Sequence, residues 1–316
     1  MISGVYPSGR MVYVESSNRS RHTMEFQNKT VIISGGAEGI GFALAKSLGQ
    51  AGMNVVIGDI NAEALSAAEQ TLKSLSIPVL AVTMDVVNPD HWRIAIEHTI
   101  EKFGQVHAVV NNAGVGGKPG PVENNTLSDW QWCIDVNLIG VVNGMQAAVP
   151  EIKRAGGGWI INVGSMAGLI GVPFGGEYTA TKLAVVGLSE AWSVELAPFG
   201  IHVAALCPAF VSTKIHLSER NRSLTQGQES ASTPASLPDS TNPMTQLVTN
   251  GIDPDLLGER VIEALIAKET FILTHPNYRA AIQRRFKAID AAFERAEHSP
   301  LVGHLKDAPV DQFIPQ

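Results

Sequence analysis

The sequence predicts an α/β fold, one doubly wound seven-stranded parallel sheet with helices on both faces. Three observations predict it. Short runs rich in Val and Ile alternate with longer amphipathic stretches through most of the chain. A glycine cluster stands directly behind the first such run and ahead of a helical pattern. The pairs Asn88-Pro89 and Asp253-Pro254 supply a capping side chain and a first-turn proline in front of two further stretches.

Taken in order, residues 30–34 read as the first strand and 40–51 as the first helix. Strands follow at 54–58, 79–83, 107–111, 159–163, 201–206 and 271–274, each short and rich in β-forming residues. Helices fill the intervals at 62–75, 89–103, 127–154, 178–196 and 254–267, where apolar residues return every three or four positions. A charged helix, 278–296, comes last. We expect one domain over residues 24–298, a disordered leader at 1–23 and a polar tail at 299–316. The stretch 212–250, rich in Ser, Thr, Asn and Pro, breaks the rhythm behind the sixth strand. A loop of that length is either a lid over a site or a plain disordered insert.

Composition excludes several classes of function. The chain has 316 residues, 45% of them hydrophobic, enough for one large core. Its net charge of −7, with no dense basic run, argues against a nucleic-acid partner. No unbroken apolar run reaches the length of a membrane span, and residues 1–23 lack the apolar centre of a signal peptide. A cytoplasmic protein is expected. Cys133 and Cys207 make no metal or redox motif and read as core thiols, and no histidine pair has zinc spacing, so no metal is expected.

The glycine cluster is Ser34-Gly35-Gly36-Ala37-Glu38-Gly39-Ile40-Gly41. Gly35 permits a tight turn, Gly39 lets backbone approach a pyrophosphate, and Gly41 allows a helix to close on a strand. The helix N-terminus then offers free N–H groups to phosphate. Asp59 ends the second strand, where a carboxylate can bind a ribose 2′-hydroxyl and would repel a 2′-phosphate. Glu38 adds a second negative charge, and Ile60 supplies no cation against it. The reading is therefore NAD rather than NADP. Asp59 also suits the N-cap of helix 62–75, and Asp85, with Val86 behind it, suits either a loop cap or an adenine contact.

Tyr178 and Lys182 lie four residues apart on one helix face. An ammonium about 5 Å from a phenol favours the phenolate by roughly 3 kcal/mol at an effective dielectric near 20, about two pKa units. That would make Tyr178 a usable acid or base near neutral pH.

With these motifs in place the chain resembles the short-chain dehydrogenase/reductase family, over about residues 28–290. Gly35-x-x-x-Gly39-Ile40-Gly41, Asp85, Asn111-Asn112-Ala113-Gly114, Asn137, Ser165 and Tyr178-x-x-x-Lys182 stand in the family's order. The resemblance implies a Rossmann fold and hydride transfer between NAD and a secondary alcohol or its ketone. It makes Tyr178 the acid/base, Lys182 its activator and a ribose ligand, Ser165 a hydrogen-bond partner of the substrate oxygen, and Asn137 the holder of a relay water. It places Asn112, Ala113 and Gly114 beside the adenosine ribose, and Pro208, Val211 and Thr213 beside the nicotinamide carboxamide. It also implies a homodimer or homotetramer, built on helices 127–154 and 178–196.

One departure is Pro208-Ala209, where the family has Pro-Gly. Ala209 restricts the backbone and puts the contacts of Val211 and Thr213 in doubt.

The expected substrate walls, residues 115–121, 166–174 and Phe210, are mostly apolar, with Met166, Leu169, Ile170 and Phe174 able to pack on a ring. A bulky, largely apolar secondary alcohol or ketone fits them. The insert, the Pro-Ala pair, the segment from Asn143 to Met145 and the last helix also resemble bacterial members that oxidise lignin-derived aryl carbinols. Steroid, terpenoid and 3-oxoacyl substrates stay open. The alternative from another class is a catalytically idle NAD(H)-binding regulator, which has no use for a Ser–Tyr–Lys set.

Overall fold

The structure, a computed structural model, describes residues 25–222 and 243–309. The expected leader at 1–23 and the middle of the 212–250 insert lie outside the described residues. Seven strands form one all-parallel sheet in the order β3-β2-β1-β4-β5-β6-β7. They are β1 Thr30–Ser34, β2 Asn54–Asp59, β3 Val79–Thr83, β4 Ala108–Asn111, β5 Gly158–Val163, β6 Ile201–Cys207 and β7 Phe271–Leu273. The fold is the expected Rossmann type, and the strand bounds differ from the sequence reading only at their ends.

On one face lie α1 (Gly39–Gln50), α2 (Ala62–Ser74) and α8 (Pro254–Ile266), closing a core around Leu44, Leu48, Leu72, Leu257 and Val261. On the other, α3 (Pro89–Phe103) and α5 (Gly140–Arg154) bury Trp92, Met145 and Ile152. The start signals act as read: Asn88 Oδ1 accepts from the Asp90 amide at 2.9 Å and Asp253 Oδ1 from the Asp255 amide at 2.8 Å. The long helix expected at 127–154 is broken. Leu127–Ile134 (α4) leads into α5 through a π turn, Asp135–Ile139. Together they are long and apolar enough to cross a membrane, but half of the apolar stretch is buried inside this domain.

Further helices among the described residues are α6 (Gly176–Leu196), α7 (Pro243–Thr249) and α9 (Arg279–Glu297). Strand order reverses between β1 and β4, so a crevice opens outside their carboxyl ends. The site residues gather there.

Candidate active site

Gly35 and Gly39 have φ of +62° and +55°, conformations that favour glycine, and together they turn the chain from β1 into α1. A Cβ on Gly41 would stand 2.1 Å from the Gly35 carbonyl oxygen. Gly41 therefore lets α1 close on the turn itself rather than on a strand. Asn112 holds the same turn, its amide donating to the Ser34 and Gly35 carbonyls at 2.9 Å each. The Ser34 hydroxyl accepts from the amides of Asn112 (3.1 Å) and Ala113 (3.2 Å). Asn111 points elsewhere, donating to buried Asn162 at 2.8 Å.

Asp59 is not the cap of α2; Asn61 is, accepting from the Ala64 amide at 3.0 Å. The Asp59 carboxylate faces the glycine loop and accepts from the Ala37 amide at 3.2 Å and the Asn61 amide at 3.0 Å. Burial pushes its carboxyl above the ordinary range against those two amides, and the neighbouring Glu38 charge adds to the rise. Asp85 closes its own loop by accepting from the Val87 amide at 3.1 Å. The Val86 carbonyl is clamped by Trp92 Nε1 at 3.1 Å and Asn143 Nδ2 at 3.0 Å.

Glu38 corrects the sequence reading. It is not uncompensated: Lys214 Nζ lies 2.5 Å from one carboxylate oxygen and Arg220 Nη2 2.6 Å from the other. Burial opposes its ionisation, but the two cations outweigh burial and hold the carboxyl below its ordinary range. The case against a 2′-phosphate then rests on Asp59.

Lys182, 4% exposed, donates to the Val163 carbonyl at 2.8 Å and sits 5.6 Å from the Tyr178 ring centroid. The expected two-unit depression of Tyr178 is absent. Burial raises the phenol above its usual value, partly opposed by a hydrogen bond with Ser165, and burial also pushes Lys182 down to about 8. Ser165 caps the short turn Met166–Gly168, its hydroxyl accepting from the Ala167 amide at 3.1 Å.

Asn137 is fully buried in the π turn. Its Oδ1 accepts from the Val115 amide at 2.7 Å and its Nδ2 donates to the Val115 carbonyl at 2.9 Å. A Cβ on Gly114 would lie 3.2 Å from Asn137 Oδ1 and 3.5 Å from Lys182 Nζ, so glycine keeps open the space between them. Burial raises the nearby thiols of Cys133 and Cys207 to about 11 and 12, leaving them inert core groups.

A cavity of about 580 Å³ connects these residues, with Gly35, Glu38, Gly39, Ile40, Asp59, Ile60, Asp85, Val86, Asn112, Ala113 and Gly114 along one side. Ser165, Tyr178, Lys182, Pro208, Val211 and Thr213 line the rest. A family sequence model described as "short chain dehydrogenase" matches residues 29–223. The chain belongs to the short-chain dehydrogenase family. It is 31% identical to the C alpha-dehydrogenase of Sphingobium sp. over 281 residues, covering 87% of this chain and 90% of that one. It is 40% identical over 185 residues to a 3-alpha-(or 20-beta)-hydroxysteroid dehydrogenase of Mycobacterium bovis, covering 58% of this chain and 70% of that one. The crystal structure of a short chain dehydrogenase/reductase from Burkholderia phymatum in complex with NAD aligns with a TM-score of 0.78 at 32% identity, covering 85% and 96% of the two chains. The protein is thus an oxidoreductase acting on secondary alcohols or ketones, of a family that uses NAD(P).

The dehydrogenase carries a cradle that fits a dinucleotide. A Cβ on Gly39 would meet the Thr213 methyl at 3.1 Å, so the bare glycine leaves a channel between the glycine loop and the segment behind β6. Ala209 does not obstruct that segment, because its φ is not positive and alanine adopts the backbone without strain. His275, overlooked in the sequence, holds the loop: Nδ1 accepts from the Ala209 amide at 3.2 Å and Nε2 bonds the Phe210 carbonyl at 3.1 Å.

Two further groups of the dehydrogenase hold the segments around the cavity, the first of them the described start of the 212–250 stretch. Residues from Lys214 to Arg222 form a strap, of which Lys214, Ile215, His216, Ser218, Arg220 and Asn221 line the cavity. Ser218 Oγ accepts from the Gly116 amide at 3.0 Å, and Arg222 pairs with buried Asp129 at 2.7 Å. Burial works against the Asp129 charge, yet Arg222 and Thr126 hold its carboxyl at about 2. Glu177, 1% exposed, accepts from the Lys118 amide and the Asn125 side chain at 2.8 Å each, tying residues 118–125 to the start of α6. Leu169, expected in the substrate wall, instead packs inward beside Val186 and Cys207.

Proposed function

We propose that this enzyme is an NAD-dependent dehydrogenase of bulky, largely apolar secondary alcohols, aryl carbinols foremost, working reversibly on their ketones. The observation that carries the reading is the wall beyond Tyr178. Met166, Ile170, Val172, Phe174, Phe210 and Val248 line the cavity there, offering apolar surface to a ring system. The likeness to a Sphingobium C alpha-dehydrogenase over most of both chains supports it.

NAD supplies the hydride acceptor. Tyr178 takes the hydroxyl proton from the substrate, Ser165 donates a hydrogen bond to the same oxygen, and Lys182 stabilises the phenolate and holds the nicotinamide ribose. Asn137 fixes Val115 and, through it, the floor beside Lys182. Asp59 accepts from the adenosine ribose, and its carboxylate disfavours the 2′-phosphate of NADP. Gly35 and Gly39 would carry the pyrophosphate on the N-terminus of α1, with Gly41 letting that helix close on the turn. Exposed Leu127 and Ile139 on the α4–α5 segment and Leu183 and Val194 on α6 support a homo-oligomeric contact on that face.

The test is an NAD- and NADP-coupled screen of aryl carbinols, alicyclic alcohols and hydroxysteroids. The expected result is turnover with NAD, highest for aryl carbinols. Preference for NADP would sink the cofactor assignment, preference for a steroid would move the substrate class, and NAD binding without any turnover would leave a regulator.

A further inference from the structure

Helix α9 runs 19 residues, about 28 Å at 1.5 Å per residue, and none of them is buried. Its principal neighbours are the 3₁₀ turns at either end, Pro276–Tyr278 and Gly303–Leu305. An isolated helix of this length is marginal in water, because most helical stability comes from packing an apolar face. Yet α9 has such a face. Ile282, Phe286, Ile289, Phe293 and Ala296 are spaced four, three, four and three residues apart. That is a narrow coiled-coil seam rather than a broad apolar face. Phe286, Ile289 and Phe293 are 55%, 41% and 66% exposed, so none of the described residues covers the seam.

The charges state what kind of helix would cover it. Arg279, Arg284, Arg285 and Lys287 occupy the first half without an acidic residue among them; Asp290, Glu294 and Glu297, with Arg295, occupy the second. This polarity opposes the helix's own dipole, which favours acids at the N-terminus and bases at the C-terminus. Laid antiparallel on a copy of itself, the basic half meets the partner's acidic half; laid parallel, like charges meet. A membrane surface fits less well, since the seam is narrow, the second half is acidic and the whole chain carries −7.

We propose that α9 docks on α9 of a second copy of this chain, antiparallel across a two-fold axis, through Phe286, Ile289 and Phe293. Neither α4, α5 nor α6 is among the principal neighbours of α9. Tyr278, in the turn that leads into α9, lines the cavity, so this contact begins at the mouth of the site.

Ile289→Cys tests it in the full-length chain, because Cys133 and Cys207 are both buried and only the new thiol is accessible. A disulfide needs Cα atoms within about 7 Å, so mild oxidation at micromolar protein should give a cross-linked dimer only if the seams meet. Adding Phe286→Glu and Phe293→Glu should cut its yield about tenfold or more, with circular dichroism and turnover unchanged. Adding instead Arg284→Glu, Arg285→Glu and Lys287→Glu should have a similar effect, because antiparallel pairing would then set acid against acid. Absence of the cross-linked dimer in the Ile289→Cys chain would overturn the proposal. So would a yield indifferent to the phenylalanines, and a yield indifferent to the charge reversal would overturn the antiparallel arrangement. Sedimentation with phosphatidylserine vesicles in place of dimerisation would assign the seam to a lipid surface and overturn it as well.

Discussion

The Arg220 guanidinium lies 2.6 Å from the Glu38 carboxylate, 182 positions earlier in the chain. With Lys214 it fastens the segment behind β6 to the glycine loop between β1 and α1. The pair also decides the local charge. Glu38 alone would be an unopposed anion beside a bound pyrophosphate; with two cations against one carboxylate, the cluster carries a net positive charge.

Removing both cations should therefore weaken the cofactor. We expect Lys214→Ala with Arg220→Ala to raise the Kd for NADH about tenfold, equivalent to 1.4 kcal/mol. Glu38→Gln in the same chain should recover part of the loss, because the uncompensated carboxylate is gone while the two cations stay absent. NADH fluorescence titration reads both. An unchanged Kd in the double variant would show that the pair is a surface ion pair without influence on the cofactor.

Tyr178→Phe removes one hydroxyl and leaves the ring in the cavity wall. It should lower kcat by 10²-fold or more, the usual contribution of a general acid–base group, with NADH affinity within about twofold of wild type. Retention of more than about a tenth of the rate would transfer the proton-handling role to another group.

Local signals in the sequence translated directly into structure. The caps at Asn88 and Asp253, the glycine turn and the four-residue spacing of Tyr178 and Lys182 depend on neighbours in the chain, which is why they were legible. The π turn at Asp135–Ile139 was not, because one apolar periodicity runs through both flanking helices and hides the extra residue. Lys214 and Arg220 were invisible as partners of Glu38, since only the fold brings them together. The same holds for Glu177 with Lys118 and for His275 with the loop behind β6. The Tyr178 expectation failed for a different reason. Spacing reports the distance between two charges but not their desolvation, and here burial dominates both groups.

Glu177 offers a test of the substrate loop. Its buried carboxylate holds the Lys118 amide and the Asn125 side chain, and a Cβ on Gly117 would lie 3.0 Å from its Oε1, so loop and acid are closely fitted. Glu177→Ala would leave these donors without their acceptor and loosen residues 116–120 beside the cavity. We expect KM for a bulky alcohol to rise severalfold, with NADH affinity unchanged. A fall in kcat at constant KM would instead place Glu177 in the chemistry.

Lys182 makes a prediction about stability and pH. Its pKa is about 8 in the folded protein against 10.5 ordinarily, because burial disfavours the ammonium. Below pH 8 both folded and unfolded chains carry the charge, and the folded state bears the full burial cost. Between about pH 8 and 10.5 the unfolded chain binds more protons than the folded one, so the contribution to stability rises with pH across that window. Lys182→Met has no such dependence. The difference in unfolding free energy, wild type minus Lys182→Met, should increase by up to about 3 kcal/mol between pH 7 and 10.5. Urea denaturation of both proteins at several pH values measures it. A difference that stays flat, or falls with pH, would mean that Lys182 keeps its proton through its bond to the Val163 carbonyl. The ammonium would then persist beside Tyr178 across the whole range in which the enzyme works.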